Sequence, residues 1–299
     1  MITLTGSEAF SAMLALAHLP PSPRAGDHFT ARLAQQVEAA RRRHRFSFFP
    51  HVPAFAADTD CTAVAAGALY ERGLITRRQL ALSVHDLLRS AVPPDTAPGS
   101  TIHPGVFTVY WDDTAEPQAL PRGRKHDAVA CANTLYTLHL DQPHTISADP
   151  TLQYLSAHLT TRRYLAGTRY YPSPEVFLHA ASRLCACCAA CAHRLAAPLH
   201  RALEERDART PGAPWPQESS GALDLALRII SADNLRIEAG QQERRAFLVS
   251  QQRENGSWPA HAYYRMGRFP LYFGSAHLTT LFALTALHTP QGGEGQACG

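Results

Sequence analysis

Proline punctuation constrains this chain more than any other feature. Pro20, Pro21 and Pro23, then Pro93, Pro94 and Pro98, then Pro211, Pro214 and Pro216 separate long stretches whose apolar residues recur at helical spacing. Proline fixes φ and lacks a donor, so such clusters mark loops between helices. The periodicity predicts helices near 29–43, 60–71, 76–90, 127–140, 149–165, 174–205, 221–235, 239–252 and 275–288, with short ones near the N-terminus. Alternation of period two is scarce, the best being GVFTVYW at 105–111, which predicts little extended sheet. An all-α chain follows. At about 25 residues per helix and loop, the length has room for roughly twelve helices.

With 299 residues and 45% apolar content, the chain can bury one large core, and we read a single domain over 1–299 with irregular ends at 1–28 and 289–299. The net charge of +3 comes without a basic stripe, which argues against a nucleic-acid partner. Arg41, Arg42, Arg43, His44 and Arg45 form the one basic cluster. On a helix such a run is a solvated face; the functional alternative is attraction to an anionic membrane surface or a diphosphate. No stretch reaches the roughly 18 apolar residues that span a bilayer, and Glu8 stands where a secretory leader is basic. The expected location is the cytoplasm, with any membrane association peripheral.

Seven cysteines, an odd number, predict reduced thiols. Cys185, Cys187, Cys188 and Cys191 crowd together with His193 nearby, a spacing that raises zinc. The stretch from Val176 to Ala197 is rich in alanine and free of proline and glycine, so it predicts one long helix whose thiols spread over more than one face. Packing is the better reading. No metal site is assigned.

Two motifs remain. In DTDCTAVAAGALYERG, Asp58 and Asp60 are separated by one residue at the head of a helix of small side chains. Carboxylates forced together cannot both ionise cheaply, so one keeps its proton and becomes a usable acid; the plain alternative is helix capping. In FLVSQQRENGSW, Gln252, Gly256 and Trp258 form the pattern Q-x-x-x-G-x-W. Together these segments resemble the class II terpene cyclases, whose acid motif reads D-x-D-D followed by Thr and Ala and whose helical repeats carry QW motifs. The resemblance covers 53–73 and 244–258 in detail and the rest only in architecture; it departs at Cys61, where the family usually has a third Asp.

The resemblance implies an α/α toroid, a double ring of helices around a central cavity, here in a single-domain version. It implies that Asp60 protonates a terminal alkene or epoxide of a linear polyprenyl chain, with Asp58 accepting a hydrogen bond from it. It also implies that Gln252 caps a neighbouring helix and packs on Trp258 while Gly256 permits the turn, a structural role. A carbocation needs aromatic shielding, for which we nominate Phe55, Tyr136, Tyr170, Tyr171, Tyr264, Tyr272 and Phe273, with Asn133 one turn before Tyr136 on the same helix face. Asp112 and Asp113 are the closest approach to a magnesium-binding acid cluster and read as a turn. The expected partner is a small isoprenoid, no cofactor is required, and magnesium enters only with a diphosphate-bearing substrate. Oligomeric state is not legible. A magnesium-dependent class I-like or prenyl-transferring toroid and a non-catalytic prenyl-binding toroid are the competing readings.

Overall fold

The computed structural model describes residues 8–20, 28–96, 101–142, 149–207 and 221–288. Among them lie eleven helices and two two-stranded antiparallel ladders. The chain divides into two compact units, residues 1–154 and 155–299, a division that the single-domain reading does not draw. No helix of the described residues is long and apolar enough to cross a membrane.

The first unit holds α1 (Phe10–His18), α2 (His28–Ala39), β1 (Arg41–Arg42), β2 (Arg45–Phe46), α3 (Thr59–Glu71), α4 (Arg77–Leu88) and α5 (Ala128–Asp141). Small residues decide its centre. Every side chain of α3 from Thr59 to Leu69 is buried, as befits a helix without a polar face, and α1, α4 and α5 pack around it. A Cβ at Gly67 would lie 3.1 Å from Thr137 Oγ1, so glycine permits the close approach of α3 and α5. The Thr137 hydroxyl donates to Ala63 O at 2.8 Å across the same seam. Capping fixes the ends: Asp127 accepts from Val129 N and Ala130 N at the head of α5, and Thr76 with Gln79 forms a capping box on α4.

The helix α6 (Asp149–Thr160) runs across the division, and a 3-10 turn (Arg163–Ala166) follows it. The second unit contains α7 (Pro174–Cys187), α8 (Ala189–Asp207), α9 (Ala222–Asn234), α10 (Gln241–Ser250), β3 (Tyr264–Arg265), β4 (Tyr272–Phe273) and α11 (Ala276–Leu287). Here α7 packs against α8 and α9, and α9 against α10 and α11. Trp258 is fully buried. Its indole N–H donates to Leu248 O in the last turn of α10 at 2.7 Å, and its backbone N–H donates to Thr280 Oγ1 on α11 at 3.0 Å.

Five expectations need correction. The cysteine run is not one helix: Cys188 is extended (φ −122°, ψ 105°) and separates α7 from α8. The helix expected over 29–43 ends at Ala39, and the arginine run forms the β1–β2 hairpin with Arg43 in the left-handed region (φ 60°). The run is not one solvated face: Arg43 is exposed, but Arg45 is buried against Asp86 and Asp113 and Arg42 pairs with Glu116. The end at 1–28 is not irregular throughout: it contains α1, a short helix of the kind expected near the N-terminus, which buries Phe10, Met13 and Leu16. Among the described residues Gln252 caps no neighbouring helix; its amide donates to Gly256 O at 2.8 Å and closes its own turn, where Gly256 has φ 79°. Pro21, Pro23, Pro98, Pro211, Pro214, Pro216, Cys298 and the end at 289–299 lie outside the described residues.

Candidate active site

The first turn of α3 is fastened to two neighbouring segments. Asp58 N donates to Phe46 O at 3.2 Å, Thr59 N and Oγ1 donate to Val109 O and Thr108 O, each at 2.9 Å, and Thr62 Oγ1 accepts from Phe46 N at 2.9 Å. The two threonines beside the acids thus anchor the helix to β2 and to the 108–109 segment. Asp58 is the N-cap, its Oδ1 accepting from Cys61 N at 2.7 Å, so the capping role weighed for this motif is real for Asp58. Asp60 sits two positions further in. It is only 7% exposed, and its Oδ1 accepts from Asn133 Nδ2 on α5 at 2.8 Å.

Electrostatics separates Asp58 from an ordinary surface carboxylate. Burial pushes the Asp58 carboxyl up from 3.8 to about 6, against the opposing pull of the Cys61 N–H and thiol, the Asp60 N–H and the positive charge of Arg122. The Cys61 thiol is held far above its usual range by burial and by the Asp58 carboxylate it faces. It is therefore a neutral donor, in the position where the resemblance expects a third acid.

The nominated residues fall into separate groups. Asn133 meets Asp60, while Tyr136, on the same face of α5, donates its hydroxyl to Glu71 Oε1 at the far end of α3. Phe55 lies in an edge-to-face cluster with Phe49 (4.9 Å between centroids), and the Arg122 guanidinium covers its ring at 4.1 Å. In the second unit Tyr171 meets Tyr263 edge-on, Tyr263 stacks on Phe282, and Tyr264 stacks on Phe273. Tyr170 is half-buried and its carbonyl accepts from Arg265 N at 2.7 Å; Tyr272 is exposed.

Other clusters resolve into structural roles. Asp113 accepts a bidentate contact from Arg45 (2.6 and 3.1 Å), whose hydrogen bond holds its carboxyl below the usual range, and Asp112 pairs with Arg124 at 3.3 Å. Burial pushes the Cys185 thiol up to about 12, and Cys188 Sγ accepts from Cys191 N at 3.4 Å. Among the described residues no three His, Cys, Asp or Glu side chains converge as metal ligands. Sequence reasoning missed the Glu71 partner of Tyr136 and the arginine over Phe55, both long-range pairings without a local signal.

No protein-family model matches the chain. A curated relative, drimenol cyclase drtB of Aspergillus calidoustus, is 30% identical over 184 residues, 61% of this chain and 31% of that protein; the match thus spans about a third of the relative. Among solved structures, the type II terpene cyclase MstE from Scytonema superposes with a TM-score of 0.61 at 14% identity, over 93% of this chain and 85% of that one. The fold is that of a type II terpene cyclase. The ent-copalyl diphosphate synthase from Streptomyces platensis has the same type II terpene cyclase fold (TM-score 0.58, 16% identity, 94% of this chain and 50% of that one), and a protein from Actinoplanes is similar too (0.65, 16%, 93% and 87%). At these identities the likeness carries the α/α toroid fold class, not an activity.

Proposed function

We propose that the chain is a class II cyclase that starts a carbocation cascade on a linear polyprenyl substrate with Asp60 as general acid. The observation that carries this reading is the pairing of buried Asp60 with Asn133 inside the motif that resembles the family's acid. Asn133 donates to Oδ1, and the role of general acid requires that the carboxyl carry its proton on Oδ2. That O–H bond breaks as a C–H bond forms at the terminal alkene carbon. The resulting cation is attacked by the next π bond, which becomes a ring σ bond, and loss of a proton to a base or capture by water ends the sequence. Asp58 acts beside it as the helix cap, its pKa raised by burial to about 6.

The relatives named for terpene cyclisation support this substrate class. Tyr136, Tyr170, Tyr171, Tyr264 and Phe273 are the candidates for shielding the cation. Phe55 is the weaker one, because a guanidinium already occupies its ring face. Proton-initiated cyclisation needs no metal at Asp58 or Asp60; magnesium would accompany only a diphosphate on the substrate. The prenyl-transfer reading draws little support, since Asp112 and Asp113 are each engaged by arginine.

The test is incubation of the purified chain, and of Asp60→Asn, with a panel of linear isoprenoids, followed by mass and NMR analysis of products. Cyclic product from the wild type alone supports the reading. Undiminished product from Asp60→Asn removes Asp60 from its role, and bound but unconverted isoprenoid with both proteins favours the non-catalytic toroid.

A further inference from the structure

The turn between β3 and β4 breaks the usual rule for apolar side chains. Arg268, Phe269, Pro270, Leu271 and Tyr272 are five consecutive exposed residues, with Phe269 71%, Leu271 46% and Tyr272 53% open to solvent. Single exposed apolar residues are ordinary, whereas a contiguous group on an ordered element marks a contact surface. The element is ordered by backbone pairing. Tyr264 faces Phe273 and Arg265 faces Tyr272 in register, Met266 N donates to Leu271 O at 2.9 Å, and Phe269 N donates to Met266 O at 3.0 Å. Its base is fixed to the preceding loop, where Arg265 Nε and Nη2 donate to Arg169 O (3.1 Å) and Thr168 O (2.7 Å). The tip is held out, not collapsed onto the core.

Charge narrows the choice of partner. From Asn255 to His288 the sequence contains no Asp or Glu, while Arg265, Arg268 and three histidines fall within it. Phe and Leu at the apex, Tyr beside them and an exposed Arg are the side-chain types that seat at a bilayer surface: apolar groups below the headgroups, an amphipathic ring at their level, a cation on phosphate. A specific protein interface, by contrast, uses about 20–30 residues a side, far more than this tip offers.

We infer that the β3–β4 hairpin docks the protein on an anionic lipid bilayer, with Phe269 and Leu271 inserted and Arg268 at the phosphates. This does not depend on the reaction proposed for α3. Tyr272, nominated for a cavity wall, is placed by its exposure at headgroup level instead.

The experiment is co-sedimentation of the full chain with phosphatidylglycerol-containing vesicles and with pure phosphatidylcholine vesicles, without substrate. The wild type should pellet with the anionic vesicles and be released by salt. Phe269→Ser with Leu271→Ser should weaken binding by about tenfold or more, given two apolar anchors, and Arg268→Gln by about fivefold, both at an unchanged melting temperature. The inference is overturned if the wild type ignores anionic vesicles at low salt, if the double variant binds as well as wild type, or if the wild type is a dimer that the double variant converts to monomer. Cyclase activity is read in neither arm, so failure here leaves the proposed reaction standing, and the reverse.

Discussion

Two buried carboxylates occupy the same place on two helices and have been given opposite partners. Asp60 is the second residue of α3 after its cap Asp58, and Glu175 is the second residue of α7 after its cap Ser173. Glu175 is 0% exposed and lies against two guanidiniums, Arg228 Nη2 at 2.6 Å and Arg206 Nε at 2.8 Å. Asp60 meets a neutral amide. Both enjoy the same helix terminus, so the partner makes the difference. Two cations on Glu175 favour its ionised form and make the residue structural, whereas the neutral Asn133 amide brings no positive charge to Asp60.

Substitutions can break this contrast. The largest effect belongs to Asp60→Asn, which should lower cyclic product about 10²- to 10⁴-fold at unchanged stability, read from product yield and a thermal melt. Arg228→Met should instead cost about 3–5 kcal/mol of stability by stranding Glu175, and adding Glu175→Leu should return most of it; denaturant titration reads both. If Glu175→Gln also abolished product, the two carboxylates would not differ in kind.

The cap sharpens the comparison through pH. Asp58 is raised to about 6 in the folded protein from 3.8, so the native state holds this proton more tightly than the unfolded chain. Its contribution is greatest below pH 4 and declines as pH rises through 6. Asp58→Asn keeps a capping oxygen and cannot ionise. It should flatten the stability profile between pH 4 and 6 and gain up to about 3 kcal/mol at pH 7, at 1.36 per pKa unit; a profile unchanged from wild type would deny the shift. Asn133→Ala should reduce turnover about tenfold by withdrawing the donor from Asp60, with little change in melting. The smallest effect is that of Trp258→Phe, about 1 kcal/mol for one indole hydrogen bond to Leu248.

What could be read in advance tracks sequence distance. The acid helix, expected over 60–71, runs Thr59–Glu71, because its start is set locally by Asp58 and its interior by small apolar residues. The helix carrying Asn133 and Tyr136 was equally legible from Asp127 onward. Their partners were not: Asn133 finds Asp60 across 73 positions, and spacing within one helix fixes a shared face but not what that face meets. The arginine run misled for a related reason. Its helical periodicity is plausible alone, yet Arg45 is drawn inward by Asp86, Asp113 and the Trp111 ring at 4.1 Å, residues that no local window contains. The break at Cys188 has no marker in its alanine-rich neighbourhood.

The missing side chain at Gly67 has a reach beyond its own turn. It sits two helical turns from Asp60, opposite Thr137, which is one turn from Asn133. A side chain there would press first on the Thr137 hydroxyl that bonds Ala63 O, so the seam that carries the acid and its amide partner is kept close by an empty space some distance from the chemistry.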